Sequence, residues 1–254
     1  MARAELSRYP VSIDGETALI GTASELTIAL DVLQGQHDRI VLQQLAPHLT
    51  SVIAGPAGFT SILKSLAPAD QIFLIDTLGP NLVEMVRDAA HLRDILAVLA
   101  EPAVEKRLLS AIGSTGLRRL IITALELAEV LEWVYGDCDQ MVLELIGPAH
   151  LRRMITTGHH LSVVLRALDE ERQSWLLQQL GWERVSALAA GGRDLAYLFG
   201  ALPGRLSELL LQRYTRDQLV ELIGNARDWK FLCSHLEAAE LAKLYDMVGV
   251  NGDA

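Results

Sequence analysis

Two pairs of adjacent arginines have the residue type and spacing best suited to bind a ligand, Arg118-Arg119 and Arg152-Arg153. About 34 residues separate the pairs, which is a spacing typical of helical repeats. If they lie on equivalent, stacked helices, they are roughly 10 Å apart. Guanidinium groups bind carboxylates and phosphates through paired hydrogen bonds. We therefore predict a basic ridge that contacts an acidic peptide or another anion. The alternative is a solvated face neutralised by nearby carboxylates.

Trp182 is the other candidate binding residue. It directly follows Gly181, and we expect it to be exposed in a short turn. Tryptophan is enriched among the residues that dominate binding at protein interfaces. The alternative for Trp182 is a structural role in which the indole covers a helix junction. For another tryptophan, Trp229, we expect a core position.

The acidic run 169–171 is the pattern closest to a pair of acid–base carboxylates. It directly follows an apolar residue that ends a helical pattern. Asp is a common N-cap, and the helix dipole favours Glu in the first turn. We therefore expect Asp169 to cap a helix and to have no catalytic role.

Histidines and cysteines are present, but their spacing does not suggest a metal site. Cys138 and Cys233 lack CxxC or Cys/His spacing, so no zinc site or disulfide is predicted. We expect Cys233 to be a buried free thiol and Cys138, in a polar segment, to be exposed. Four histidines recur in different parts of the chain and do not converge. They are His48, His91, His150 and His160.

No recognisable catalytic or cofactor motif is present. The sequence lacks a Ser/His/Asp order, GxGxxG, a phosphate-binding loop and HExxH. We therefore expect a protein that is not an enzyme and that has no cofactor and no metal.

Composition favours helices and disfavours nucleic acid. Half of the 254 residues are hydrophobic and 5% are aromatic. The abundance of Leu, Ala, Ile and Val suits helices better than strands. The formal net charge is −10. Nucleic-acid binding needs clustered Lys and Arg, so it is disfavoured as a general property.

One stretch, residues 40–63, contains no Asp, Glu, Lys or Arg and is the strongest candidate for a membrane span. It contains Pro47, Gly55 and Pro56, which a spanning helix rarely carries together. The N-terminal stretch 1–18 lacks the apolar segment of a secretory signal. We therefore predict a cytoplasmic protein without membrane insertion.

An apolar pattern at i, i+3, i+4 and i+7 recurs along the chain, and it is one face of a helix. Successive copies begin at a nearly constant interval of about 34 residues. The copies begin at Leu26, Phe59, Leu92, Leu127, Leu161, Leu195 and Trp229.

Two further elements follow each copy in phase. The first is an apolar segment that usually ends in glycine, a residue that accepts the left-handed conformation past a helix C-terminus. These glycines are Gly79, Gly113, Gly147, Gly181 and Gly249. The second is a short apolar segment that we expect to be a third helix. Each repeat of roughly 34 residues is therefore predicted to contain two to three short helices.

The stretch LSVVLRALDEERQSWLLQQLGWERVSALAAG, residues 161–191, typifies the repeat. It resembles the short-helix repeats of armadillo- and HEAT-like superhelices. Within them it is most similar to the N-terminal superhelical domain of bacterial magnesium channels and to flagellar motor-switch proteins. The resemblance implies an α-solenoid fold and a role in protein contacts. No acidic cluster matches the metal-sensing set of the channels.

The predicted fold is an all-α solenoid of about six and a half repeats. Residues 1–23 form an N-terminal cap with an extended piece at 11–13 and a helical half-repeat at 14–20. Residues 24–249 form the array and 250–254 a polar tail. The repeats start near 24, 57, 90, 125, 159, 193 and 227.

The predicted function is a non-enzymatic scaffold or adaptor that binds a peptide or protein along the solenoid surface, with an acidic segment as one candidate partner. A homo-oligomer formed through its ends or edges is a related alternative. A nucleic-acid-binding helical repeat is the rival from another class, which the net charge of −10 disfavours.

Overall fold

The computed structural model describes residues 7–99, 101–224, 226–234, 236 and 238–248. These residues are mostly helical, and the sheet that they form has two strands. The strands are β1 Tyr9–Ile13 and β2 Glu16–Ile20. The helices are α1 Ala23–Leu33, α2 Asp38–Leu45, α3 Leu49–Ile53, α4 Pro56–Ser65, α5 Pro68–Leu78, α6 Leu82–Val86, α7 Ala89–Leu96, α8 Pro102–Leu120, α9 Ala124–Leu131, α10 Cys138–Ile146, α11 Pro148–Met154, α12 Gly158–Arg166, α13 Glu170–Leu180, α14 Trp182–Ala187, α15 Gly192–Phe199, α16 Gly204–Leu211, α17 Arg216–Ile223, α18 Ala226–Cys233 and α19 Ala238–Val248. The prediction of an all-α fold is confirmed.

The N-terminal segment is a β-hairpin. β1 and β2 pair antiparallel, and Asp14 and Gly15 form the turn with φ of 50° and 88°. Two successive positive φ angles are typical of the tight turn that matches the twist of paired strands. The extended piece predicted at 11–13 is confirmed. The helical half-repeat predicted at 14–20 is wrong, because the Asp-Gly turn folds these residues back as β2.

The chain divides into two compact units. Unit 1 comprises Met1–Ile121 and Trp133–Leu145, and unit 2 comprises Ile122–Glu132 and Ile146–Ala254. Helix α9 therefore belongs to unit 2, whereas most of α10 belongs to unit 1.

Within each unit, helices with equivalent sequence patterns pack against one another. In unit 1, α1 packs against α4 and α4 against α7. In unit 2, α9, α12, α15 and α18 pack in chain order. We call these four helices the unit 2 row. All seven helices begin one residue before the predicted repeat starts, at Ala23, Pro56, Ala89, Ala124, Gly158, Gly192 and Ala226.

Glycine ends the second helix of several of the predicted repeats, as expected. Gly79, Gly113, Gly147 and Gly181 have φ of 48°, 64°, 76° and 84°. Gly113 interrupts α8, and the others lie directly past α5, α10 and α13. A side chain would be strained at each position. Gly249 and the tail 250–254 lie outside the described residues.

The core follows the predicted apolar face. Leu63, Leu96, Leu131, Leu165 and Phe199 are all buried, which confirms the helical phase. None of the described helices has the length and apolar character needed to cross a membrane.

A polar position on the second helices is also buried, which the sequence analysis did not predict. Its members are Asp38, Gln71, Glu105, Gln173 and Ser207. Three of these side chains donate hydrogen bonds to main-chain carbonyls at or after the end of the preceding helix. Gln71 Nε2 lies 2.8 Å from the Leu63 carbonyl, and Gln173 Nε2 lies 2.8 Å from that of Leu165. The two amides thereby add a second donor to the Leu63 and Leu165 carbonyls, which already accept the N–H groups of Leu66 and Leu168 near the helix end.

Candidate functional site

The four arginines of the predicted ridge are all exposed. Arg118 and Arg119 lie in unit 1, and Arg152 and Arg153 lie in unit 2. Arg119 Nη2 donates to the Val83 carbonyl at 3.0 Å. The ridge as a single binding site therefore stays a prediction.

The unit 2 pair also has partners within its own unit. Arg152 Nη2 donates to the Gln179 carbonyl at 3.0 Å. Arg153 Nη2 donates to Nδ1 of His150 at 2.7 Å. The observed partners of these arginines are thus main-chain and histidine atoms, and they give the side chains a structural role.

In three of the short third helices, the main-chain carbonyl at the same position accepts a hydrogen bond from a side chain. The carbonyls of Val83, Arg152 and Ser186 occupy this position, in α6, α11 and α14. Each accepts a hydrogen bond from a side chain 28 to 36 residues later. The donors are Arg119, Arg184 and Tyr214. Arg119 therefore belongs to a recurring structural contact.

Trp182 does not have the environment predicted for it. It is the first residue of α14 and is partly buried, not a fully exposed turn residue. Trp229 is also partly buried, where a core position was predicted. Its ring packs edge-on against Tyr245, with centroids 5.2 Å apart.

The exposure predicted for Cys138 is wrong. The thiol is fully buried at the start of α10, and burial raises its pKa to about 12, with the nearby Glu105 carboxylate acting in the same direction. A thiol with such a pKa is not a nucleophile at neutral pH. Cys233, predicted to be buried, is partly exposed, with Sγ 3.9 Å from the Tyr245 hydroxyl.

Glu105 is a fully buried carboxyl group beside Cys138. Its Oε2 accepts the Tyr135 N–H at 3.0 Å, and the Cys138 thiol interacts with the same carboxyl group. Burial raises the pKa of Glu105, and the Tyr135 hydrogen bond opposes the shift. The adjacent thiol stays protonated at neutral pH, so it supplies no nucleophile for this carboxyl group to activate. Glu105 is therefore a buried structural carboxyl group whose ionisation is opposed by burial.

The acidic run after Leu168 is a helix N-terminus, as predicted. Asp169 is the N-cap of α13 and accepts the Arg172 N–H at 2.9 Å. Among the described residues, no three His, Cys, Asp or Glu side chains are placed to hold a metal ion.

A strip of aromatic and basic side chains crosses the unit 2 row, and it was not predicted. His159 lies on α12, Arg193 and Tyr197 on α15, and Phe231 on α18. We call these four residues the aromatic–basic strip. His159 and Arg193 are exposed, and the Tyr197 and Phe231 rings are partly exposed.

The strip is continuous through direct ring contacts. The His159 and Tyr197 ring centroids are 4.8 Å apart, and those of Tyr197 and Phe231 are 5.6 Å apart in an edge-on arrangement. The Arg193 guanidinium lies 5.8 Å from the Phe231 centroid. Such aromatic and cation–π geometries stabilise a surface while leaving ring area for a ligand.

The carboxylates on the same helices are already bound to the protein. Asp194 accepts the N–H groups of His159 and Ala190, at 3.2 and 3.3 Å. Asp228 lies 3.6 Å from Arg193 Nε. Three further cations are exposed on the row, and they are Arg166, Arg227 and Lys230. The charge that α12, α15 and α18 present to a ligand is therefore mainly positive, in a chain that is acidic as a whole.

Two glycines allow these helices to approach closely. A Cβ on Gly158 would lie 2.7 Å from the Asp194 Cβ, and one on Gly192 would lie 2.8 Å from the Asp228 Cβ. Real Cβ atoms do not pack this closely. The small residues thus set the spacing that brings the rings of the strip together.

Part of the strip was detectable in the sequence. Tyr197 and Phe231 occupy the same repeat position, shortly after Leu195 and Trp229. Aromatic residues at one surface position in successive repeats indicate a shared surface. The pairing of His159 with Tyr197 was not detectable, because the two residues occupy different repeat positions.

The chain matches no protein-family model, no curated protein and no solved structure.

Proposed function

We propose that this chain is a repeat protein of the α-solenoid class that acts as a non-enzymatic protein-interaction scaffold. Its ligand is an acidic peptide segment that lies across α12, α15 and α18. The observation that carries the proposal is the aromatic–basic strip, where ring contacts and a cation–π contact join three packed helices.

The chemistry of the strip supports this class of ligand. Ring surface binds apolar or aromatic side chains, and aromatic residues and arginine are the types enriched at binding hot spots. Arg193 and the other cations of the row attract Asp and Glu, which increases the association rate and orients the segment. A row of packed helices provides a surface long enough for an extended or helical segment.

A single-stranded nucleic acid is the second candidate, because aromatic rings beside arginines also stack on bases and contact phosphates. The net charge of −10 disfavours it, since such binding relies on neutralising many phosphates.

The test is a selection of random displayed peptides with the intact chain, followed by titration of the best synthetic peptide. We expect peptides rich in Asp and Glu next to aromatic or apolar residues. Tyr197→Ala and Arg193→Glu are each expected to weaken binding roughly tenfold, as for interface hot spots. The matched control is Arg153→Glu, an equal charge change on an exposed arginine outside the strip.

The opposite pattern would contradict the proposed site. Loss of binding in Arg153→Glu with no change in Arg193→Glu would assign binding to the arginine pair. Tight binding of oligo(dT) with a steep salt dependence, together with no selected peptide, would replace the peptide by nucleic acid. Thermal melting of every variant separates binding effects from unfolding.

A further inference from the structure

A groove in unit 1 lies between the hairpin and α1, and nothing in the proposed function uses it. Its volume is about 730 Å³, and residues of β1, β2 and α1 line it. Leu19, Ile28 and Val32 line this groove and are 55%, 64% and 76% exposed. Among the described residues these are three of the most exposed large apolar side chains, and they share one site. Clustered apolar exposure of this kind marks interaction sites, whereas scattered exposure does not.

The two edges of the hairpin differ. On the outer edge of β1, the Gln44 side chain binds the main chain of Ser12. Its Oε1 accepts the Ser12 N–H at 2.8 Å and its Nε2 donates to the Ser12 carbonyl at 2.9 Å. β2 pairs with β1 on one side, and no described residue pairs with its main chain on the other. A free strand edge is a template for another strand.

The rim of the groove is acidic. Among the described residues that line it, Asp14, Glu16 and Glu25 are acidic, none is Lys or Arg, and His37 Nε2 lies 3.4 Å from Asp14. The Gly21 N–H donates to Glu25 at 2.8 Å and lowers its pKa, so this carboxylate is ionised at neutral pH. Arg8 Nη2 pairs with Glu25 at 2.8 Å, which shows that a guanidinium fits at this rim and leaves Asp14 and Glu16 as the carboxylates for the cations of a partner.

We propose that the groove binds an extended segment of a partner protein, added as a third strand along β2. The segment has apolar residues at alternate positions and Lys or Arg at its flanks. Main-chain hydrogen bonds to β2 supply affinity, and apolar side chains pack on Leu19, Ile28 and Val32. The flanking cations pair with the acidic rim, which sets the charge of the partner. This proposal is independent of the aromatic–basic strip, whose ligand has the opposite charge.

The experiment titrates the intact chain with a synthetic peptide of sequence Lys-Val-Thr-Val-Thr-Val-Lys. Backbone amide shifts report where it binds. We expect shifts concentrated at residues 16–20 and on α1. The matched peptide with Glu in place of both lysines is expected to bind at least roughly tenfold more weakly, because it repels the acidic rim.

Two variants locate the site. Ile28→Asp places a charge on the apolar wall and is expected to abolish the shifts. Val220→Asp is the control, since Val220 is also exposed, at 49%, but lies in unit 2. Both side chains are exposed, so neither change is expected to unfold the protein.

Several outcomes overturn the proposal. One is the absence of shifts at residues 16–20 with the lysine peptide, and another is equal binding of the glutamate peptide. A third is unchanged binding in Ile28→Asp. The fourth outcome is measured by sedimentation equilibrium. If the chain is a dimer and Ile28→Asp dissociates it, a second copy of this chain covers the groove.

Discussion

The helices that begin the predicted repeats have equivalent sequence patterns in the two units, but they present different surfaces. At one exposed position, the helices of unit 1 carry the small side chains of Ser24, Ala57 and Ala90. Most side chains at this position in unit 2 are large and basic or aromatic, and the set is Leu125, His159, Arg193 and Arg227. The shared helices supply the framework, and the side chains on them determine which surface can bind. In unit 1, large exposed apolar groups gather at the hairpin groove instead.

The largest expected effects come from the core, where the two units are alike. Leu63→Ala in unit 1 and Leu131→Ala in unit 2 each remove a buried side chain. Each is expected to lower the free energy of unfolding by about 2–5 kcal/mol, through lost transfer energy and the cavity. Urea unfolding measures both. A loss well below this range in one unit would show that its core is loosely packed.

An intermediate effect is expected at Gly158, where two helices of unit 2 lie close together. Gly158→Ala places a Cβ 2.7 Å from the Asp194 Cβ and 2.8 Å from its carbonyl oxygen. We expect a cost of about 1–3 kcal/mol, because a backbone atom must move. In unit 1 the equivalent positions already carry side chains, at Ala23, Pro56 and Ala89.

The control for this change is Gly204→Ala, at the first residue of α16. A Cβ there meets nothing within 4 Å, so alanine is expected to be neutral or slightly stabilising. Equal stability of the Gly158 and Gly204 variants in thermal melts would mean that the close approach is not required.

The smallest expected effect is a pH dependence of the free energy of unfolding, which arises from a buried carboxyl group in unit 1. The buried polar position carries Asp38, Gln71 and Glu105 in unit 1 and Gln173 and Ser207 in unit 2, so its buried carboxyl groups among the described residues lie in unit 1. Burial raises the pKa of Glu105 above its ordinary value of 4.5. The folded state therefore binds this proton more tightly than the unfolded state does, and stability falls as pH rises above 4.5.

Glu105→Gln is expected to remove this fall. An amide still accepts the Tyr135 N–H, and it gains a donor, as Gln71 and Gln173 have. The variant is expected to be more stable than the parent at pH 8 by about 1 kcal/mol, the usual value of one hydrogen bond. The advantage disappears in acid. Gln173→Glu is the reciprocal change, and we expect it to introduce the same pH dependence. Parallel curves for parent and Glu105→Gln in urea unfolding against pH would contradict the assignment.

The helices were predictable because two patterns in the sequence lead to the same helix boundaries. Apolar residues repeat with helical spacing, and glycines such as Gly79 and Gly181 recur between them. The hairpin was missed although Asp14-Gly15 is a strong turn signal, because Leu19 and Ile20 fit the repeat phase. Local turn chemistry decided the structure there.

The candidate site was predictable only in part. Repeat phase identifies residues on equivalent positions, such as Tyr197 and Phe231. It does not give the offset between neighbouring helices, which brings His159 to Tyr197 and Arg193 to Phe231. The polar position of Gln71 and Gln173 was visible as a recurrence, but polar residues are usually exposed. These side chains are buried because they donate to main-chain carbonyls near helix ends, and a sequence pattern does not show where those carbonyls lie.

The recurring third-helix carbonyl affects how such a chain can diverge. Val83, Arg152 and Ser186 supply the same acceptor because every residue has a carbonyl oxygen, whatever its side chain. The donor is an arginine in two cases and a tyrosine in the third, and it comes from three different sequence positions. Substitution can therefore exchange the donor without moving the helix that receives it. The surface side chains can thus change while the contact at this carbonyl is maintained.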